Sequence, residues 1–192
     1  IASHQADERR DPASITKLMT AYVVFGALRQ KSIVPSQMVS VSERAWRAEG
    51  SRMFIEPRKS VSVDELLHGM IVQSGNDASI ALAELVAGSE PAFVERMNQE
   101  AKRLGMASTQ FVNATGLADS QHWSTAGDVA TLAQAVIRDY PEYYPLYSLR
   151  EYRYKNITQP NRNRLLWIDP FVDGVKTGHT DAAGWCLIAS AK

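Results

Sequence analysis

The chain has 192 residues, of which 45% are apolar, and its 21 Lys+Arg are matched by 21 Asp+Glu. That length can bury a real core in one domain, or in one domain with a small subdomain, and a formal net charge of zero provides no field to attract nucleic acid or an anionic membrane surface. The longest apolar run, Ala21 to Leu28, falls short of the roughly 20 residues needed to cross a bilayer, and Cys186, the single cysteine, can form no internal disulfide.

Asp11-Pro12 opens a helix, because a carboxylate caps it and proline fits a first turn whose N–H is unused. Ile15, Leu18, Met19, Tyr22 and Val23 follow at helical spacing, and Val24 and Phe25 make the segment apolar nearly all round, which predicts a buried central helix. Val39-Ser40-Val41 and Val61-Ser62-Val63 alternate as short strands. Asp64 to Val72 and Asp77 to Ala87 are helical, broken at Ser74-Gly75 by a turn and ended at Gly88. Further helices are expected over Glu90 to Leu104, capped by Ser89 and stopped by Gly105, and over Ala126 to Arg138, preceded by Ser124. Strands gather late, at Tyr152 to Ile157, Val172 to Thr177 and Trp185 to Ala191.

Three short patterns stand out in order: Ser14-Ile15-Thr16-Lys17, Ser74-Gly75-Asn76 and Lys176-Thr177-Gly178. Ser14 and Lys17 are three apart on one helix face, so a hydrogen bond between them is possible. Burial and the helix N-terminus both favour the neutral amine, which can activate a hydroxyl. The Ser74 triplet sits at a helix break that would present its side chains on a tight turn, where Ser74 could relay protons and Asn76 could orient Lys17 and a substrate amide. Lys176-Thr177-Gly178 at a strand end offers charge, a hydroxyl and a close backbone approach to a carboxylate. Alone, each has a plain structural reading: a helix start with a surface lysine, a capped turn, and a hairpin turn. Together they are the parts of a serine acyl-transfer site. The four histidines, His4, His68, His122 and His179, have no metal-ligand spacing.

The longer strings Arg10 to Lys17, Gln73 to Ala78, Asn161-Arg162-Asn163 and Gly174 to Thr180 resemble the low-molecular-mass penicillin-binding proteins that act as D-alanyl-D-alanine carboxypeptidases. The resemblance implies an α+β, transpeptidase-type fold: an antiparallel sheet flanked by helices with a helical subdomain, forming one catalytic domain over residues 1–192. It implies Ser14 as nucleophile, Lys17 as acylation base, and Ser74, Asn76 and Lys176 as the rest of the inner shell. Thr177, Gly178, His179 and Arg162 would bind substrate, with backbone N–H groups of Ser14 and His179 as an oxyanion hole, each donor of such a pair being worth ~3 kcal/mol. The implied reaction removes the terminal D-alanine from peptidoglycan stem peptides in the periplasm, with β-lactams as covalent inhibitors and no metal or cofactor. Membrane anchoring would depend on segments outside this sequence.

The same resemblance leads us to expect a domain incomplete at both ends, lacking strands before Ile1 and a strand and helix after Lys192, so that the isolated chain would fold poorly for want of sheet edges to pair. Two rivals share the motifs. A class A β-lactamase would need a deacylating glutamate, and no Glu-x-x-Leu-Asn lies between Asn76 and Lys176. A penicillin-sensing domain would be acylated without peptidase turnover.

Overall fold

The computed structural model describes residues 2–192. Its centre is α1 (Lys17–Arg29), entered through a 3-10 turn at Ala13–Thr16. Asp11 caps this entry by accepting from the Ala13 N–H at 2.7 Å. Leu18, Met19, Val24 and Phe25 are wholly buried, as the all-round apolar pattern requires, and each such side chain contributes about 1.5–3 kcal/mol on burial.

The segment before the next long helix forms a small ribbon and a single helical turn. Strand β1 (Met38–Ser40) and strand β2 (Ser60–Ser62) pair antiparallel, with Val39 opposite Val61, and α2 (Glu43–Trp46) lies between them in sequence. Ser62 then starts α3 (Val63–Val72) with a reciprocal cap: its hydroxyl accepts from the Glu65 N–H while the Glu65 carboxylate accepts from the Ser62 N–H. Helix α4 (Asn76–Ala87) ends at Gly88, and α5 (Glu90–Arg103) begins at once behind Ser89. Helix α6 (Ala126–Asp139) is capped by Thr125, whose side chain accepts from the Asp128 N–H. Ser124 is occupied elsewhere, bonded through its backbone to Arg10 and through its hydroxyl to Thr109. Helices α3 to α6 pack around α1 and form the helical body.

The late strands depart from expectation at one place. Tyr152 to Ile157 is not one strand but parts of two: β3 (Glu151–Tyr154) turns at Lys155-Asn156 and returns as β4 (Ile157–Pro160). Lys155 takes the positive φ of 52° that the turn needs, so no glycine announces it. After the single turn α7 (Leu165–Ile168), strands β5 (Val172–Thr180) and β6 (Gly184–Ala191) form the longest ribbon. Among the described residues the antiparallel pairing forms three two-stranded sheets, β1-β2, β3-β4 and β5-β6. The β5-β6 ribbon packs its inner face on the Ala13–Thr16 turn at the start of α1, and this junction of strand and helix creates the cleft.

Candidate active site

Position 14 lies in the 3-10 turn, half-buried, and position 17 is the first residue of α1, wholly within the core. Lys17 Nζ hydrogen-bonds Ser14 Oγ at 3.1 Å and donates to the Thr115 carbonyl at 2.5 Å. Burial first, then the charges of Lys176 and Arg162, hold the Lys17 pKa well below the usual ammonium range, while Asp77 pulls the other way. An amine so placed is a base at neutral pH.

The second pair comes from elements far apart in sequence. Between α3 and α4 the backbone at Ser74 takes φ +60°, and the Ser74 Oγ accepts from Lys176 Nζ at 3.0 Å. Lys176 also donates to the carbonyl of Thr177, and burial, with the Arg162 charge second, lowers its pKa to about 7. The helix break predicts Ser74 and Asn76 on a tight turn with their side chains presented; instead both are buried. The turn points inward because its polar groups are satisfied from behind. The Asn76 N–H donates to the Ser51 carbonyl, its amide nitrogen donates to the Glu49 carbonyl at 2.7 Å, and the Asp77 carboxylate accepts four backbone N–H bonds, from Met53, Phe54, Ile55 and Ala78. Asn76 therefore braces the 49–51 backbone and makes no hydrogen bond to Lys17, contrary to the orienting role read from sequence. Its Oδ1 is buried without a partner.

Lys176-Thr177-Gly178 stands in the interior of β5, not at a strand end. Alternation along the strand turns Lys176 and Gly178 inward and leaves Thr177 and His179 on the cleft side, opposite Leu187 and Trp185 of β6. At position 178 a β-carbon would lie 3.0 Å from the Ser14 nitrogen. Glycine is thus what lets β5 run alongside the nucleophile's own backbone. Arg162 is carried on a turn tied down by its two neighbours: Asn161 donates to the Leu149 carbonyl, and Asn163 donates to the Gly174 carbonyl. Both asparagines are buried while Arg162 is exposed.

A cleft of about 360 Å³ brings together Ser14, Ser74, Arg162, Thr177, Gly178 and His179. Lys17 and Lys176 stand behind its wall, each bonded to one of its serines. Ser51, Leu165 and the β6 residues Trp185, Cys186 and Leu187 also line it and were not singled out as site residues in the sequence. The Trp185 ring lies against that of His179 in a tilted contact, with ring centres 4.2 Å apart. An aromatic opposite the residue after Lys-Thr-Gly in the strand register was the one available signal for it.

A helical body, an antiparallel ribbon and paired serine–lysine contacts at their junction are the fold and cleft of penicillin-binding, transpeptidase-type proteins. The chain belongs to the peptidase S11 family, described as D-alanyl-D-alanine carboxypeptidase, whose model matches residues 1–192. It is 48% identical to D-alanyl-D-alanine carboxypeptidase DacC of Escherichia coli (strain K12) over 198 residues, covering all of this chain and 50% of that protein. Penicillin binding protein 5 from Haemophilus influenzae superposes with a TM-score of 0.97 at 45% identity, covering all of this chain and 57% of that one. Penicillin-binding protein D2 from Listeria monocytogenes, in an ampicillin-bound form, superposes at 0.89 with 31% identity, over all of this chain and 78% of that one. The chain spans about half the length of the curated relatives it matches.

Proposed function

We propose that residues 1–192 act as one catalytic unit of a serine D-alanyl-D-alanine carboxypeptidase that trims the terminal D-alanine from peptidoglycan stem peptides and is acylated by β-lactams. The observation that carries this reading is the convergence of two serine–lysine contacts, Ser14 with Lys17 at 3.1 Å and Ser74 with Lys176 at 3.0 Å, on one cleft. Ser14 passes its proton to the neutral amine of Lys17 and attacks the carbonyl of the D-Ala-D-Ala bond. The oxyanion forms beside the Ser14 N–H, where β5 runs closest, with the His179 N–H as the second donor.

The departing amine takes up a proton returned from Lys17 or relayed through Ser74, and water then attacks the acyl-enzyme. Arg162 and Thr177 hold the free carboxylate of the substrate, and the unpartnered Oδ1 of Asn76 accepts from a substrate amide N–H. No Asp or Glu lines the cleft among the described residues, which fits slow deacylation of a penicilloyl adduct and not the rapid turnover of a class A β-lactamase. The site of action is the periplasm. Among the described residues no helix is long and apolar enough to cross a membrane.

The test is intact-mass analysis of the full-length protein after incubation with benzylpenicillin. We expect one penicilloyl adduct, lost in Ser14→Ala, together with D-alanine release from a diacetyl-Lys-D-Ala-D-Ala peptide. An adduct that survives the substitution would move the nucleophile elsewhere, and acylation without D-alanine release would make the protein a sensor.

A further inference from the structure

The mechanism above makes no use of the buried carboxylate of Glu90. Glu90, the first residue of α5, has only 4% of its surface exposed, although α5 needs no carboxylate for its start: Ser89 already caps it, accepting from the Ala92 N–H. The Glu90 carboxylate instead reaches outward in two directions. Oε2 accepts from Nε and Nη2 of Arg44 on α2, and Oε1 accepts from the Ala114 N–H at 3.0 Å.

Ala114 begins the short turn that carries Thr115. The N–H groups of Thr115 and Gly116 both donate to Oδ1 of Asn113, at 3.1 and 2.7 Å. The Ala114 carbonyl accepts from the hydroxyl of Thr20, one turn beyond Lys17 on α1, at 2.7 Å. Residue 114 is therefore gripped on its N–H side by α5 and on its carbonyl side by α1. The next carbonyl along, that of Thr115, is the one that accepts from Lys17 Nζ.

A neutral amine has two N–H bonds and one lone pair at tetrahedral angles. Committing an N–H to a fixed carbonyl sets the rotation about the Cε–Nζ bond and leaves the lone pair only the two remaining positions, one of which faces the hydroxyl a productive base must deprotonate. We infer that Glu90 is a positioning residue for the acylation step: held by Arg44, it fixes residue 114 so that the Thr115 carbonyl keeps the Lys17 amine turned toward Ser14. The inference rests on the proposed roles of Ser14 and Lys17 as nucleophile and base. It assigns Glu90 no contact with substrate.

The experiment measures, in the full-length protein, both the rate of acylation by a chromogenic β-lactam and the final fraction of chains acylated. Glu90→Ala is expected to react about tenfold more slowly, as loss of one orienting hydrogen bond implies, while still titrating to completion. Glu90→Gln keeps an oxygen facing Ala114 although it loses the ion pair, and is expected to stay within about threefold of the unaltered protein. Thr20→Val removes the opposite grip without touching Glu90 and is expected to slow acylation in the same direction.

Glu90→Ala or Thr20→Val reacting at the unaltered rate would overturn the inference. So would a variant with a reduced acylatable fraction whose remaining chains react normally, because that is the signature of a role in folding alone. If the unaltered protein took up no β-lactam, the proposed function itself would fall, whereas normal acylation with indifferent variants would remove only the positioning role.

Discussion

Ser74 holds a left-handed backbone conformation, φ +60°, and in it its hydroxyl accepts a 3.0 Å hydrogen bond from Nζ of Lys176, 102 residues away. A non-glycine residue in that region is strained by roughly 1–2 kcal/mol. The surrounding bonds hold it there: the Gly75 N–H donates to the Gly69 carbonyl and the Asn76 N–H to that of Ser51. The strain aims the hydroxyl across the cleft at β5. Ser74→Ala keeps the backbone but leaves Lys176 with only the Thr177 carbonyl. We predict a loss of about 1–2 kcal/mol in stability and a roughly 10²–10⁴-fold fall in the rate of acylation and D-alanine release, the usual range for losing a proton-transfer group. Stopped-flow acylation of a folded variant decides it, and a fall of less than tenfold would take Ser74 out of the proton path.

The two buried lysines make stability depend on alkaline pH. The Lys176 pKa lies at about 7 in the folded protein, that of Lys17 also lies well below the usual value, and both return to about 10.4 on unfolding. Between these limits the unfolded chain binds more protons, so stability rises with pH. Tyr22 and Tyr144, pushed up to about 12 by burial, reverse the trend above pH ~10, where unfolded tyrosine ionises first. Urea midpoints should therefore increase from pH 7 to 9.5, with Lys176 contributing on the order of 3 kcal/mol. In Lys176→Met the increase should shrink. An equal increase in the two proteins would show that Lys176 is not buried as an ammonium-forming group.

His122 sets the opposite limit. It is buried, its Nδ1 accepts from the Val112 N–H at 3.2 Å, and its Nε2 therefore carries the proton that bonds the Thr16 hydroxyl at 2.8 Å. Burial lowers its pKa to about 4, against the pull of Asp11 and Asp119. Unfolded histidine titrates near 6.5, so the stability it contributes is complete above that value and is lost as pH falls from about 6.5 to 4, to a limit of roughly 3 kcal/mol. Thermal melts at pH 7 and 4.5 should differ more for the unaltered protein than for His122→Gln. A difference of the same size in both would place the acid-sensitive group elsewhere.

The helical body and the three motifs were legible in the sequence because each has a periodic or compositional mark. Leu18, Met19 and Phe25 repeat around a helix, whereas Ser62, read as the middle of a strand, instead caps α3 together with Glu65. What failed had no such mark. Helices α2 and α7 are four residues each, too short for a period to register. The β3-β4 turn rests on a lysine with positive φ. The inward orientation of Ser74 and Asn76 follows from bonds to Ser51, Glu49 and Lys176, contacts made only once distant segments have met. The Thr115 oxygen is backbone, and residue identity says little about which carbonyl a fold will present to a lysine. Glu90 reads from sequence as an ordinary first-turn acid.

Two glycines with nearly the same positive φ should respond very differently to alanine. Gly116 has φ +83° and Gly88 has φ +79°, so both substitutions carry the left-handed penalty of about 1–2 kcal/mol. A β-carbon at Gly88 would meet nothing within 4 Å, whereas one at Gly116 would lie 1.8 Å from the carbonyl oxygen of Ala13. That overlap can be relieved only by separating the Asn113–Gly116 turn from the residue that precedes Ser14. Forced displacement in a packed core adds about 1–3 kcal/mol. Gly116→Ala should thus be destabilised by roughly 2–5 kcal/mol, the sum of the two effects. It should also acylate slowly, because the Thr115 carbonyl moves away from Lys17 as the turn retreats. Gly88→Ala, at the far end of α4, should lose about 1–2 kcal/mol and acylate at the normal rate. Urea denaturation and β-lactam acylation of both proteins check the pair. Equal losses would mean that the turn is free to shift and does not fix the base.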